Sequence, residues 1–441
     1  MIGLAFGDCG KGLFVDYLCR RWNAHTVVRF NGGGQAGHNV VLPDGRSHTF
    51  SQFGAGTFVP GTVTLLAYPV IVHPTALLVE HEYLRRAGVN DALGRLVIDA
   101  RCRVTTPFHQ AAGRMRELER GDMAHGSCGV GVGETVAHGL RNPEQAITYA
   151  DLAHPSVALE KLDAVRKTLL AQFNSVCQAA PNQSAYENEL RVLNDVAVSQ
   201  RWLDHVAPLL RYVPPAPHQA VAERLNRPGT AVFEGAQGVL LDEWRGFHPH
   251  TTWSSIGTAA VEAVARDAGQ DTRIHHFGAM RTYMTRHGAG PLPTHDARLD
   301  HLAEPHNSSS GWQGSFRRGH PDALLLRYAL AVAGPLDGLL VSHLDVFERE
   351  RALRWCDAYD IGEVEERSLI GGIVPGTHGN LQHQATLARL LAGARPRYAA
   401  GATCDAGQFV SELETLTKLP VLFGARGPTH ETVSPLSTAS R

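Results

Sequence analysis

Two short segments combine glycines with residues that could do chemistry. The first, GDCGKG, runs from Gly7 to Gly12 and carries Asp8 and Lys11. It follows a short apolar run and precedes an amphipathic one. We therefore expect a strand, a glycine turn and a helix whose N-terminus presents backbone N–H groups and a lysine to an anion. It is not the P-loop pattern, which needs GxxxxGK and then Ser or Thr. By itself, a tight turn with a solvated Lys11 is an equal alternative.

Asp8 makes this segment more informative than its glycines. A carboxylate beside phosphate-binding glycines repels the ligand unless a cation bridges the two or the acid moves a proton. Magnesium is the simplest such cation. The sequence therefore predicts a phosphate site in which Asp8 holds Mg2+ or takes part in proton transfer.

The second segment is RFNGGGQAGHNVV, from Arg29 to Val41, in which consecutive glycines precede His38. Glycines at the end of a strand let the backbone approach a ligand closely. His38 is therefore placed to polarise a phosphate oxygen or to donate a proton to it. The alternative is an ordinary surface histidine, since the chain holds 24 histidines.

Two further strand ends carry polar residues suited to a nucleobase. Gln237, in FEGAQGVLLD, offers one donor group and one acceptor to a base edge. Asp345 closes the run VSHLDV, and a carboxylate there can accept two hydrogen bonds from guanine. A capping or core-edge role is an equal alternative for each residue taken singly.

The pattern of elements places these segments together. Apolar β-rich runs alternate with helical stretches, which predicts an α/β fold with a largely parallel sheet whose ligands bind at the carboxyl ends of the strands. Residues 156–219 are predicted to form a helical insertion, and residues 304–315 either a mobile connection or a loop that covers a substrate. The β-rich runs are HTVVRF, TVTLLAYPVIV, TAVFEG and GLLVSHLDV, and two of the helical stretches are PTALLVEHEYLRRAG and PDALLLRYALAVAG.

The composition limits the classes of partner that the protein is expected to bind. The 441 residues are 43% hydrophobic and 19% charged, with a net charge of −2, so no overall field attracts nucleic acid or an anionic membrane. Small-molecule substrates are expected instead. Seven cysteines without a CxxC pair, and the lack of a long apolar run or leader, predict a cytoplasmic protein.

Taken together, the motifs resemble those of the adenylosuccinate synthetase family, from about Ile2 to Thr432. The resemblance implies one large α/β domain over residues 1–433, with a P-loop-like fold built around a central, mostly parallel sheet and with helical insertions. It also implies a C-terminal tail over residues 434–441 and a homodimer. The segments that carry it are, in order, GDCGKG, GGGQAGH, GSCGVGVGE, FEGAQGVLLD with TTWSS, TRHGAGPLPT, SFRRGHPDALLLRYA, SHLDV and GARGPTHET.

The resemblance also implies a reaction. In this family GTP, with Mg2+ as cofactor, phosphorylates the 6-oxygen of IMP, and aspartate then displaces that phosphate to give adenylosuccinate. By motif position, Asp8 resembles the base at purine N1 and a Mg2+ ligand, and the Gly37 carbonyl a second ligand. His38 resembles the acid that assists departure of the β-phosphate, Lys11 holds the transferred phosphoryl group, and Gln237 contacts the purine.

Further residues take their predicted roles from the same motif positions. The predicted nucleotide contacts are Gly7, Gly10, Lys11, Gly12, Gly37, His38, Asn39, Asp345 and Gly427. The predicted substrate contacts are Gln35, Cys128, Thr252, His287, Arg317 and Arg318.

Several departures from the family pattern predict a divergent paralog. Only Arg317 and Arg318 remain of the arginine-rich loop that grips aspartate, and an arginine that clamps a carboxylate is costly to lose. The other departures are Cys9 for Glu, Leu13 for Lys, Gln35 for Asn, Cys128 for Thr, Val130 for Arg and His343 for Lys.

Two alternatives therefore stand beside the main prediction. One is the same mechanism on another purine monophosphate or another amine. A phage-type branch of the family uses a guanine monophosphate and replaces the catalytic aspartate with a smaller residue, so the retained Asp8 favours a hypoxanthine-type substrate. The other is a nucleotide-binding protein without turnover. The presence of Asp8, Lys11, His38 and Gln237 disfavours it, because binding alone needs no acid–base pair.

Overall fold

The computed structural model describes residues 1–173, 182–302, 304–307, 312–350, 353–361, 369–370 and 372–436. Parts of three predicted segments lie outside the described residues. These are residues 174–181 of the helical insertion, 308–311 of the loop and 437–441 of the tail.

Strands and helices alternate along most of the chain. The strands are β1 (Ile2–Gly3), β2 (Thr26–Arg29), β3 (His38–Val41), β4 (Ser47–Phe50), β5 (Val63–Leu66), β6 (Ile71–Val72), β7 (Leu96–Asp99), β8 (Arg103–Val104), β9 (Pro215–Ala216), β10 (Ala231–Glu234), β11 (Phe277–Arg281), β12 (Met284–His287), β13 (Phe316–Gly319), β14 (Gly338–Ser342), β15 (Cys356–Asp360), β16 (Leu369–Ile370), β17 (Arg395–Tyr398), β18 (Val421–Ala425) and β19 (Val433–Pro435). The helices are α1 (Lys11–Arg21), α2 (Pro74–Arg86), α3 (Pro107–Arg120), α4 (Val132–Arg141), α5 (Pro155–Phe173), α6 (Gln183–Asn194), α7 (Val198–Tyr212), α8 (His218–Leu225), α9 (Thr258–Asp267), α10 (Ala323–Ala333), α11 (Leu381–Gly393) and α12 (Ala406–Thr417).

A mostly parallel sheet forms the centre of the fold. In the described part of the chain, one five-stranded array has the order β10-β2-β5-β7-β9 and the other β1-β11-β14-β18-β19. Every pair in them is parallel except β18 with β19. The arrays meet where Gly235 N, after β10, donates to Met1 O, before β1, over 3.2 Å. The predicted α/β fold is confirmed.

Burial explains why the central strands read as unbroken apolar runs. Every residue of β14 and β18 is buried, as expected for parallel strands that helices cover on both faces. The predicted run TVTLLAYPVIV, in contrast, splits into β5 and β6. Pro69 interrupts it, because proline has no N–H for the ladder.

The predicted helical insertion falls on α5, α6 and α7. Helices α5 and α6 pack on each other and on α3, and α7 packs on α5 and α2, with Tyr186 and Trp202 buried. Helix α3 begins at Pro107 under a capping box in which Thr106 and His109 exchange hydrogen bonds. Helix α4 follows the glycine loop 126–131, so α3 and α4 together fix both ends of that loop.

A hairpin lies apart from the central sheet. Strands β12 and β13 pair antiparallel, with His287 opposite Phe316, Arg286 opposite Arg317 and Thr285 opposite Arg318. The hairpin carries the loop predicted to cover a substrate. Among the described residues, no helix has both the length and the apolar character needed to cross a bilayer.

Candidate active site

The first glycine segment forms the predicted strand, turn and helix start. It follows β1, and Gly10 caps α1 with φ of 78°. Asp8 has φ of 38°, so the turn uses the left-handed region at a non-glycine residue as well. Lys11 is 3% exposed and its Nζ donates to the Gln237 carbonyl over 2.7 Å. The alternative of a solvated lysine is therefore wrong.

Two glycines let three loops touch. A Cβ on Gly12 would lie 2.5 Å from the Asn39 carbonyl oxygen, and one on Gly238 would lie 2.1 Å from the Ala5 carbonyl oxygen. Both distances are far inside van der Waals contact. The loops after β1, before β3 and after β10 therefore meet at one end of the sheet, as predicted.

His38 is a buried residue, so the surface alternative is wrong here too. Its Nδ1 lies within hydrogen-bond distance of Glu234 Oε1, and the other oxygen, Glu234 Oε2, accepts from Ala55 N over 2.9 Å. Burial lowers the pKa of His38 to about 4, and Glu234 only partly opposes that shift. The imidazole is therefore neutral at pH 7, with Nδ1–H donated to Glu234 and Nε2 left as the atom for a ligand.

Sequence reasoning did not assign Glu234 a role. Its carboxyl is fully buried, and burial alone would raise its pKa. The neighbouring His38, which donates a hydrogen bond, the buried Arg29 and the Ala55 N–H together outweigh that effect and lower the pKa of Glu234. The signal was present in the sequence, since a glutamate that ends an apolar strand has to find a partner inside the protein.

Gln237 presents an amide with no partner. Both amide atoms, Oε1 and Nε2, are buried and lack a hydrogen-bond partner among the described residues. Its backbone is left-handed, with φ of 55°. Buried amides are normally hydrogen-bonded, so this group is held ready for an outside partner such as a base edge.

Asp8 and Gly37 fit a Mg2+ ion that also binds phosphate. Among the described residues, no three His, Cys, Asp or Glu side chains cluster closely enough to hold a metal by themselves. Mg2+ typically binds one or two protein oxygens and completes its shell with phosphate and water oxygens. The Asp8 carboxylate, about a fifth exposed, and the Gly37 carbonyl before β3 are oxygen donors of this kind.

Three of the predicted substrate contacts, Gln35, Thr252 and Cys128, each lie beside another polar side chain. Gln35 Nε2 lies 3.5 Å from Thr252 Oγ1, while Gln35 Oε1 is buried without a partner in the described part of the chain. Cys128 Sγ accepts from Gln313 Nε2 over 3.0 Å, and burial raises the pKa of the thiol to about 11. Cys128 is therefore an uncharged thiol at neutral pH. Gln313 was not assigned from the sequence.

The two predicted arginines point away from each other. They are neighbours on β13, so their side chains leave opposite faces of the strand. Arg317 Nη2 donates to the carbonyls of Gly288 and Gly290 over 2.5 and 2.8 Å. Arg318 Nη1 pairs with Asp300 over 3.2 Å. The structure does not bring them to one point.

Three of the predicted nucleotide contacts lie on other elements. Asp345 does not end the strand as predicted, because β14 stops at Ser342 and His343 turns the chain with φ of 63°. Asp345 pairs instead with Arg349 over 2.5 Å. Gly427 follows β18, which is the neighbour of β14, so it shares an edge of the sheet with Asp345. Asn39, on β3, accepts from Thr49.

The sequence model of the adenylosuccinate synthetase family matches residues 1–433. The chain belongs to the adenylosuccinate synthetase family. The adenylosuccinate synthetase of Neisseria gonorrhoeae is 34% identical over 365 residues, which cover 82% of this chain and 80% of that protein. That of Mycobacterium leprae is 32% identical over 373 residues, covering 84% and 82%.

Solved structures show the same fold. The fully ligated adenylosuccinate synthetase of Plasmodium falciparum matches with a TM-score of 0.77 at 19% identity, over 99% of each chain. The succinoaminodeoxyadenylate synthetase of cyanophage S-2L, bound to dGMP and to dATP as an energy donor, matches with a TM-score of 0.53 at 16% identity. It covers 99% of this chain and 94% of that one.

Family membership confirms the enzyme class. Adenylosuccinate synthetases are ligases that form a carbon–nitrogen bond, and this chain is a ligase of that family. The roles of individual residues stay predictions.

Proposed function

We propose that this chain uses GTP to phosphorylate the 6-oxygen of IMP and then joins aspartate at that position, releasing GDP and phosphate as adenylosuccinate forms. The observation that carries the proposal is the close contact between the loops that hold Asp8, Lys11, His38 and Gln237. The names of the relatives support the same reaction.

The chemistry explains what each group contributes. An amide-like oxygen leaves poorly, so it needs phosphorylation before an amine can displace it. The Asp8 carboxylate takes the proton from purine N1, which concentrates negative charge on the 6-oxygen. Lys11 and the glycine turn hold the phosphoryl group during transfer, and Gln237 orients the purine. Mg2+, held by Asp8 and the Gly37 carbonyl, would neutralise phosphate charge.

His38 is the acid in this proposal. Without nucleotide it is neutral and donates Nδ1–H to Glu234. Phosphate charge beside Nε2 favours the protonated ring, because an opposite charge stabilises the charged form. His38 then donates from Nε2 to an oxygen of the departing β-phosphate, while Glu234 keeps the ring oriented.

A changed amine substrate is the second candidate. Arg317 and Arg318 diverge and already donate to protein oxygens. A dicarboxylic amine would therefore have to displace some of those acceptors. An amine with fewer carboxylates, used in the same mechanism, avoids that cost.

We also propose that the enzyme works as a homodimer in the cytoplasm, as the family resemblance implies. Light scattering on the purified protein tests the dimer. A mass of about twice the 47.7 kDa chain is expected, and a mass of one chain contradicts it.

The experiment for the reaction is phosphate release with Mg2+, GTP and IMP, with and without aspartate, together with the ultraviolet change on forming a 6-substituted purine. We expect aspartate-dependent release and a matching spectral change. Release with another amine but not with aspartate favours the second candidate. Parallel assays with ATP and with dGMP test the nucleotide and the purine. Absence of turnover with every pair, while nucleotide still binds, contradicts both candidates.

A further inference from the structure

His287, the last residue of β12, lies against Asp8. Its Nε2 is 3.5 Å from Asp8 Oδ2 and 3.3 Å from Asn307 Oδ1. The ring packs on Phe316, its partner across the hairpin, with 4.7 Å between ring centroids. This packing fixes the ring, so the approach of Nε2 to Asp8 follows from the hairpin itself.

The neighbours of the ring define its tautomer. Asn307 Nδ2 donates to Glu304 Oε2 over 3.0 Å, which turns the amide oxygen of Asn307 toward His287. Nε2 therefore faces two acceptors and carries a hydrogen. Nδ1 is buried and has no partner among the described residues. A hydrogen on Nε2 fits the two acceptors that this atom faces.

A chain of hydrogen bonds links the two sides of this contact. Arg281 donates from Nε to the Asp8 carbonyl and from Nη1 to Glu304 Oε1. Glu304 accepts from Asn307 on its other oxygen, and Asn307 accepts from His287. One end of the chain therefore holds the Asp8 carbonyl, and the other end, His287 Nε2, lies 3.5 Å from the Asp8 carboxylate. Tyr283 also donates to Glu304, over 2.6 Å.

We propose that His287 is a positioning residue for Asp8. Its Nε2–H orients the carboxylate that takes the purine proton, and Asn307 and Glu304 link that orientation to the start of the loop. The inference rests on the proposed function for the role of Asp8. It concerns the side chain of His287, which acts on the substrate only through Asp8.

Three variants test the role in catalysis. His287→Leu removes the donor, His287→Gln keeps one, and His301→Gln is a matched control at an exposed histidine. We expect His287→Leu to lower kcat by about 10- to 100-fold, while the KM for GTP stays within about threefold. His287→Gln should recover most of the loss. Equal loss in both His287 variants, with unchanged melting temperature, or normal turnover in His287→Leu, would overturn the proposal.

A spectroscopic readout separates this inference from the proposed reaction. Nitrogen-15 NMR of histidine-labelled protein, with the His287 signal assigned by its loss in His287→Gln, reports the tautomer without any substrate. We expect a hydrogen on Nε2 and a shift of that signal in Asp8→Asn. The Nδ1–H form, or no response to Asp8→Asn, overturns the inference even if the enzyme joins aspartate to IMP. If the NMR result holds and no turnover is found, the proposed reaction fails and the Asp8 contact stands.

Discussion

Two sides of the candidate active site are built differently. The strand-end side consists of the loops at residues 7–10, 32–37 and 235–238, and the hairpin side consists of β12, β13 and the described residues between them. On the strand-end side, Gln237 holds both amide atoms buried without a partner in the described part of the chain. On the hairpin side, Arg317 and Arg318 each donate to a protein oxygen.

The difference has an energetic consequence. A ligand on the strand-end side gains hydrogen bonds without displacing any at Gln237. A ligand on the hairpin side exchanges one acceptor for another, and such an exchange contributes little net free energy. Arg286 on β12 is also hydrogen-bonded within the protein, because it donates to the carbonyls of Ala289 and Pro291 over 3.1 and 2.9 Å. Under the proposed residue roles, the groups for the chemical step are already in place in the fold, whereas binding of the amine requires the hairpin arginines to exchange their partners.

Asp8→Asn should have the largest effect on the strand-end side. Asparagine tolerates the left-handed backbone at this position but cannot accept the purine proton. We expect turnover to fall by about 10⁴-fold, the upper end of general acid–base effects, with an unchanged melting temperature. Steady-state assays beside Asp44→Asn, an exposed control, measure it. Turnover within tenfold of wild type would remove the role of Asp8 as base.

His38 should come next. His38→Asn alone weakens the hydrogen bonding of the buried Glu234, which costs about 1–3 kcal/mol of stability. The double variant His38→Asn with Glu234→Gln avoids that charge and isolates the catalytic loss. We expect turnover about 10³-fold below wild type. His205→Asn, on the exposed face of α7, serves as the control. Full turnover in the double variant would show that another group supplies the proton.

Gln237→Leu tests whether the unpartnered amide of Gln237 hydrogen-bonds to the purine of the substrate. Loss of its hydrogen bonds should cost about 1–3 kcal/mol, seen as a rise in KM for IMP of roughly 5- to 150-fold. Binding of GTP alone, followed by calorimetry, should change little. Gln219→Leu, on the exposed side of α8, is the matched control. An unchanged KM for IMP would mean that the amide of Gln237 faces no substrate.

Motif reading predicted the strand-end side well because glycines and chemistry fall at fixed offsets from apolar runs. The turn at residues 7–12, the helix start at Lys11 and the meeting of three loops all follow from local pattern and the rule for parallel strands. Glu234 escaped assignment, because its role depends on His38, 196 residues away along the chain.

The hairpin side was less predictable for a physical reason. Sequence shows that arginines are present but not which acceptors they find, and those acceptors are backbone carbonyls with no sequence signal. The prediction that Asp345 ends a strand was wrong for a different reason. Its strand ends three residues earlier than predicted because His343 adopts a left-handed conformation that residue type alone does not reveal.

The stability that the N-terminal cap of α3 contributes should decrease in acid. Burial lowers the pKa of His109, which caps α3, to about 3, and His138 adds to that shift. The pKa in the unfolded chain is higher, so this contribution to stability is complete above about pH 6.5 and is lost as the pH falls toward 3. The unfolding free energy should fall by up to about 1.4 kcal/mol per pH unit from this group. Denaturant titrations between pH 7 and 4 should show a shallower slope in His109→Gln, and equal slopes would contradict the assignment.

We expect the smallest effects from substituting Arg317 and Arg318. Comparing the two variants tests whether the hairpin side rearranges to bind the amine. Arg318 pairs with an exposed carboxylate, so Arg318→Ala should change stability by no more than about 1 kcal/mol and turnover by less than about threefold. Arg317 holds the Gly288 and Gly290 carbonyls beside His287, so Arg317→Ala should lower turnover by about tenfold through misplacement. Amine titrations with each variant measure both. If Arg318→Ala instead raises the KM for aspartate strongly, Arg318 leaves Asp300 to clamp a carboxylate. The amine site would then form only when the hairpin rearranges on binding, whereas the strand-end side is already formed before any ligand binds.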